Sequence, residues 1–149
     1  MAKFKLHPDF KDFLKLLNSH QVNYLLVGGY AVGYYGYPRA TADMDIWIEI
    51  SKSNAEKLEK VLREFQMSQE AISKELFLKK DTIIRMGMPP VRLEIITDAS
   101  GVSFSDCYLR KQVMGIDGIP VNFISLQDLK TNKKAAGRYK DLEDLEHLP

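Results

Sequence analysis

The spacing of apolar residues changes several times along the chain, and each change marks an element. Phe10, Phe13, Leu14 and Leu17 recur at i, i+3, i+4 and i+7, one face of a helix over Pro8–Asn18. Pro8 suits the first turn, where its missing N–H matters least. Tyr24–Val27 is an unbroken apolar run, the pattern of a buried strand. Gly29–Tyr35 reads as a short helix closed by Gly36-Tyr37-Pro38, and Arg39–Thr41 as a loop. In Asp43–Ile50 the pattern alternates. Met44, Ile46, Ile48 and Ile50 turn to the core, and Asp43, Asp45, Trp47 and Glu49 turn to water.

Ser53-Asn54-Ala55-Glu56 has the form of a capping box, followed by helical apolar spacing as far as Phe65. A further helical segment is expected over Glu70–Phe77. Thr82–Met86 and Val91–Ile96 read as strands of a hairpin about Gly87-Met88-Pro89-Pro90. Phe104–Arg110 predicts a helical turn. Gln112–Ile116 and Ile119–Ile124 flank Asp117-Gly118, a strong two-residue hairpin signal. Ser125 with Asp128 opens a capped helix through Ala136, which Gly137 stops, and Lys140–Leu148 forms a terminal helix. Helices and strands are mixed and the hairpins come late. This predicts an α+β fold, a mixed sheet with helices packed mainly on one side.

Length and composition narrow the picture. With 149 residues the chain is expected to form a single domain able to bury a core without staples. A net charge of +1 gives no bulk attraction to nucleic acid or anionic lipid, so an anionic substrate must be held by a local cluster. Cys107 is the one cysteine, which rules out an internal disulfide and points to a reduced, cytoplasmic setting. The start, MAKFKLHPDF, lacks the apolar stretch of a signal peptide, and no apolar run is long enough for a membrane span.

The chemistry concentrates in Tyr24–Ile50. Gly28 and Gly29 follow the first strand directly, where the absence of a Cβ permits a sharp turn and close approach of a bulky anion to the amides. Asp43 and Asp45 stand at i and i+2 on a strand, on one face, with Cα atoms roughly 6.6 Å apart. Two such acids repel unless a cation lies between them, and oxygen-only ligands favour Mg²⁺ or Mn²⁺. Glu94 is a charge in the middle of an apolar strand, sharing a face with Arg92 and Ile96. If its strand neighbours that of Asp45, three carboxylates converge and two metal ions roughly 3.5–4 Å apart could be bridged. Glu94 could also take the proton of an attacking hydroxyl. Arg39 and Thr41 could touch a triphosphate from the loop.

Each piece alone has a plainer reading: a solvated acid pair, a Glu94–Arg92 ion pair, an ordinary Gly-Gly turn, Arg39 pairing with Asp43. Tyr30 and Tyr34 read as packing residues, and Cys107 as a buried hydrophobe. The conjunction of strand, Gly-Gly, short helix, Arg-x-Thr and Asp-x-Asp is much more specific than its parts.

That conjunction resembles the signature of the nucleotidyltransferase superfamily, whose members share a DNA polymerase β-like core. VGGYAVGYYGYPRATADMDIWIE is most similar to the small nucleotidyltransferases related to abortive-infection toxins. ISLQDLKTNKKAAGRYKDLEDLEHL resembles their closing motif, with Lys133, Arg138, Lys140, Asp141 and Asp144 at its charged positions. The resemblance implies a minimal nucleotidyltransferase core that transfers a nucleoside monophosphate from a nucleoside triphosphate to an acceptor hydroxyl. It implies metal binding by Asp43, Asp45 and Glu94, a triphosphate cradled by Gly28 and Gly29, and phosphate contacts from Lys133 and Arg138. The acceptor would be a small molecule, a tRNA or a protein, and an antitoxin a possible partner. Many members have Gly-Ser after the strand, whereas here the second position is Gly29, followed by Tyr30, so a hydroxyl contact to phosphate is missing there, and Glu94 replaces the commoner aspartate. These departures leave a nucleotide-binding regulatory module without turnover as the alternative.

Overall fold

The computed structural model describes residues 6–38, 41, 43–65, 73–88 and 90–149. Helix α1 (Pro8–Ser19) leads into strand β1 (Tyr24–Val27), helix α2 (Gly28–Tyr34) and strand β2 (Asp43–Ile48). Helix α3 (Lys52–Glu64) and a 3₁₀ turn (Lys74–Leu78) precede the hairpin β3 (Ile83–Met88) and β4 (Val91–Ile96). After α4 (Phe104–Leu109) come the hairpin β5 (Gln112–Ile116) and β6 (Ile119–Phe123), then α5 (Leu126–Ala136) and α6 (Tyr139–His147).

The strands form one mixed sheet in the order β3-β4-β2-β1-β6-β5. This is the α+β architecture that the mixed order of elements predicts. The expected helix from Glu70 begins outside the described residues, and its remainder is only the 3₁₀ turn. Helix α3 starts two residues earlier than the capping box suggests. Ser51, not Ser53, is its N-cap, and the Ser51 hydroxyl accepts from the Asn54 amide at 3.1 Å. Asn54 is buried because it serves as a staple. Its side chain accepts from the Asn23 amide and donates to the Asn23 and Glu49 carbonyls.

The alternating faces of β2 are as expected for Met44, Ile46 and Ile48, all buried. Trp47 departs from expectation: it is 1% exposed. The face that carries the aspartates is wet only at its Asp43–Asp45 end. Towards Trp47 it is closed by α4, whose Phe104 ring lies edge-on 5.2 Å from the indole. Tyr30 and Tyr34 pack as expected, edge-on to Phe10 at 5.7 Å and tilted on Phe123 at 4.4 Å. Cys107 is buried. Among the described residues no helix is long and apolar enough to cross a membrane.

Candidate active site

Register places the acids. Strand β2 lies between β1 and β4. It runs antiparallel to β1 with Val27 opposite Asp45, and parallel to β4 with Asp45 opposite Glu94 and Asp43 opposite Arg92. Because side-chain direction alternates along each strand, partners in register share a face. The condition set on Glu94 is met: its strand is the neighbour of the Asp45 strand.

The chain must leave β1 beside Asp45, and this explains the two glycines. Gly28 has φ +66°, in the left-handed region, and a Cβ there would lie 2.8 Å from the Asp45 carboxyl carbon. A Cβ on Gly29 would lie 2.9 Å from the Thr41 hydroxyl, which itself donates to the Asp43 carbonyl. The bend and the acids are therefore packed against each other with no room for larger residues.

The three carboxylates differ in their partners. Asp43 accepts two hydrogen bonds from Arg92, at 2.6 Å from Nε and 3.0 Å from Nη2, and this pairing lowers its pKa. Glu94 accepts from Arg85 Nε at 3.1 Å. The arginine on Glu94 is thus Arg85 of the hairpin partner strand, not Arg92. Asp45 is different. No hydrogen bond holds its carboxylate among the described residues, and its pKa is pushed up to about 7 by burial and then by the charges of Glu94 and Asp43. Lys133 and Lys140 oppose that rise from across the cavity.

Helices α5 and α6 form the facing wall. Lys133 is 5% exposed, so it is not a solvated surface lysine, while its neighbour Lys134 is exposed. The Lys133 ammonium sits 3.1 Å from Asp141 and 3.0 Å from Asp144, both buried. Arg138 Nε donates to Asp141 at 2.8 Å, and Arg138 and Asp141 cap α6 reciprocally. Asp141 and Asp144 therefore fix the terminal helix, with Lys133 as the cation they share.

The glycine bend, the three acids and the cationic wall border one cavity of about 480 Å³. Gly28, Gly29, Thr41, Asp43, Asp45, Glu94, Lys133 and Arg138 all line it. Arg39, the other residue expected there, lies outside the described residues. Lys140, a charged position of the closing motif, also lines the cavity, and so do Arg85, Asp98 and Asn132, which were not singled out from the sequence. Arg85 had a legible signal, since the hairpin register sets it opposite Glu94.

The donor set suits a divalent cation in kind. It offers oxygen ligands only, and the deepest is a carboxylate whose charge is penalised by burial and by two acidic neighbours. Among the described residues, however, no three acidic, histidine or cysteine side chains are already gathered as a metal cluster. Asp43 gives both oxygens and Glu94 one oxygen to arginines, so those pairs compete with a cation for the same carboxylates.

No protein-family model matches the sequence, and no curated protein is similar to it at a significant level. Solved structures do resemble it. A candidate nucleotidyltransferase of Thermotoga maritima, TM1012, superposes with a TM-score of 0.64 at 17% identity, covering 95% of this chain and 93% of the other. The antibiotic-resistance factor ANT(2'')-Ia gives a TM-score of 0.60 at 12% identity, covering 93% and 79%. An antigenic nucleotidyltransferase-like protein of Paracoccidioides brasiliensis gives 0.56 at 20% identity, covering 93% and 73%. At such identities the likeness is one of backbone architecture. The chain has the nucleotidyltransferase fold.

Proposed function

We propose that the protein transfers a nucleoside monophosphate from a nucleoside triphosphate to an acceptor hydroxyl, at the cavity between the Gly28–Gly29 bend and Lys133. One observation carries the reading: Asp45 and Glu94 are register partners on adjacent parallel strands, and the Asp45 carboxylate is packed against Gly28. Acids and an anion-receiving bend at this separation suit phosphoryl transfer and little else.

In this reading the backbone at Gly28 and Gly29 receives the triphosphate, with Lys133, Arg138 and Lys140 facing it across the cavity. The acceptor oxygen forms a bond to the α-phosphorus while the bond to the bridging oxygen breaks, and pyrophosphate leaves. Glu94 is placed to accept the hydroxyl proton. Mg²⁺ or Mn²⁺ held by Asp43, Asp45 and Glu94 would supply the positive charge that stabilises the attacking and leaving oxygens. The resemblance to abortive-infection toxins supports a cytoplasmic toxin with an antitoxin partner, and a tRNA, a protein or a small molecule as acceptor.

A second reading, a nucleotide-sensing module without turnover, is favoured by the arginines on Asp43 and Glu94 and by the missing serine hydroxyl at the glycine turn. One assay separates the two. Purified protein is incubated with each labelled nucleoside triphosphate, Mg²⁺ or Mn²⁺, and cell lysate. Label transfer and pyrophosphate release that vanish in Asp45→Asn establish the enzyme. Thermal stabilisation by nucleotide with no pyrophosphate selects the module. Stabilisation and transfer that both survive in Asp45→Asn would remove this cavity from consideration.

A further inference from the structure

The two arginines on the acids are not incidental surface pairs. Each occupies the strand position directly beside its acid: Arg92 opposite Asp43 across β2 and β4, Arg85 opposite Glu94 across β3 and β4. A charged side chain on the register partner is held near its acid by the backbone, so each pair forms without a search. Arg92 engages both Asp43 oxygens, the bidentate arrangement that is strongest for guanidinium and carboxylate. Neither arginine is buried, with Arg92 37% and Arg85 65% exposed in their side chains, so each reaches water when it leaves its acid, and the acid left behind, 19% exposed for Asp43 and 16% for Glu94, then calls for another cation. Their surroundings then differ. Arg85 lines the cavity, and Arg92 does not.

Resting on the proposed function, we infer that Arg85 and Arg92 compete with the divalent cation for Glu94 and Asp43, and that Arg85, once displaced, turns to the triphosphate. A guanidinium takes up charge and lone pairs that a metal ion would use: both oxygens of Asp43 are engaged by Arg92, and one oxygen of Glu94 by Arg85. Cation binding is therefore opposed by each arginine, and for Arg85 a bound triphosphate offers a replacement anion within the same cavity. Arg92 has no such second partner there. The arrangement makes metal alone a poor ligand and metal with triphosphate a good one, which would keep the acids from capturing a cation until substrate arrives.

The test is Mn²⁺ binding to the full chain, read as loss of the free-ion EPR signal, with no turnover involved. Arg92→Met and Arg85→Met are each expected to tighten Mn²⁺ binding in the absence of phosphate by about tenfold, the weight of a charge-assisted hydrogen bond. Arg63→Met, on α3 and paired with Glu59, controls for the change in net charge and should leave Mn²⁺ affinity where it was. With Mn²⁺ present, a non-hydrolysable nucleoside triphosphate should bind about tenfold more weakly to Arg85→Met than to Arg92→Met. Equal Mn²⁺ affinity in the parent and both arginine variants overturns the inference while leaving the metal site standing. So does equal tightening in Arg63→Met, and so does equal triphosphate affinity in the two variants. If Asp45→Asn binds Mn²⁺ as well as the parent, the fault lies in the proposed function itself.

Discussion

Replacing Lys133 by methionine tests whether the wall of the cavity is held by charge. The methionine keeps most of the stem volume and removes only the ammonium. Lys133 is 5% exposed and Asp141 and Asp144 are each 1% exposed, so both ion pairs lie away from water. Breaking a buried pair by deleting one partner typically costs about 3–5 kcal/mol, because the remaining charge keeps its desolvation penalty. Arg138 stays on Asp141 at 2.8 Å and softens the loss, so the lower end, about 3 kcal/mol, is expected. That is a large share of the roughly 5–15 kcal/mol that holds an ordinary domain together. The assay is urea unfolding followed by the fluorescence of Trp47, the one tryptophan and a buried one. Adding Asp141→Asn and Asp144→Asn should restore much of the loss, since no buried charge then remains. The acid limb gives a second readout. Burial raises the Asp141 pKa, but Arg138 and Lys133 outweigh it and the net shift is downward. A lowered carboxylate pKa contributes stability above the unfolded value, near 4, and that stability disappears as pH falls through the folded value. Lys133→Met should therefore flatten the acid-induced loss. A change below about 0.5 kcal/mol, the ordinary surface range, together with an unchanged acid limb, would refute the argument.

Gly28→Ala combines a left-handed backbone with a Cβ 2.8 Å from the Asp45 carboxyl carbon, so a loss of about 2–4 kcal/mol is expected in urea unfolding. A loss under about 1 kcal/mol would mean the bend tolerates a side chain and is not tightly fitted to the acid. Asp45→Asn, measured in EDTA near pH 8, should instead stabilise the protein, because it removes a buried charge with a pKa pushed up to about 7. The full shift corresponds to about 4 kcal/mol and local relaxation reduces it, so a gain of roughly 2 kcal/mol is expected. A loss of stability would show that the carboxylate has a partner that compensates its burial.

The reach of the sequence into this structure ended where contacts depend on more than one strand. Alternation along β2 was legible because one strand's period decides it, and it correctly put Asp43 and Asp45 on one face and Met44, Ile46 and Ile48 on the other. Trp47 broke that pattern because its exposure depends on what covers the face, and α4 lies some sixty residues downstream. The glycines were recognised as a bend, yet their necessity comes from Asp45 and Thr41 pressing on them, which no local pattern contains. Lys133 beside Lys134 looks the same in sequence as any paired lysines on a helix. Only the packing of α6 on α5 distinguishes the buried one from the exposed one. The arginines make the point most sharply. Glu94 was seen to share a face with Arg92 along its own strand, and the nearest cation in sequence became the expected partner. Neighbours at i and i+2 stand about 6.6 Å apart, whereas register partners on adjacent strands stand about 5 Å apart. The cross-strand pairs therefore win, and Arg92 goes to Asp43 while Arg85 goes to Glu94. The same geometry leaves Asp45 as the odd member. Its register partners are Val27 and Glu94, one apolar and one acidic, so no neighbouring strand offers it a cation. An acid that the sheet itself cannot neutralise is the one on which an added cation would act most strongly.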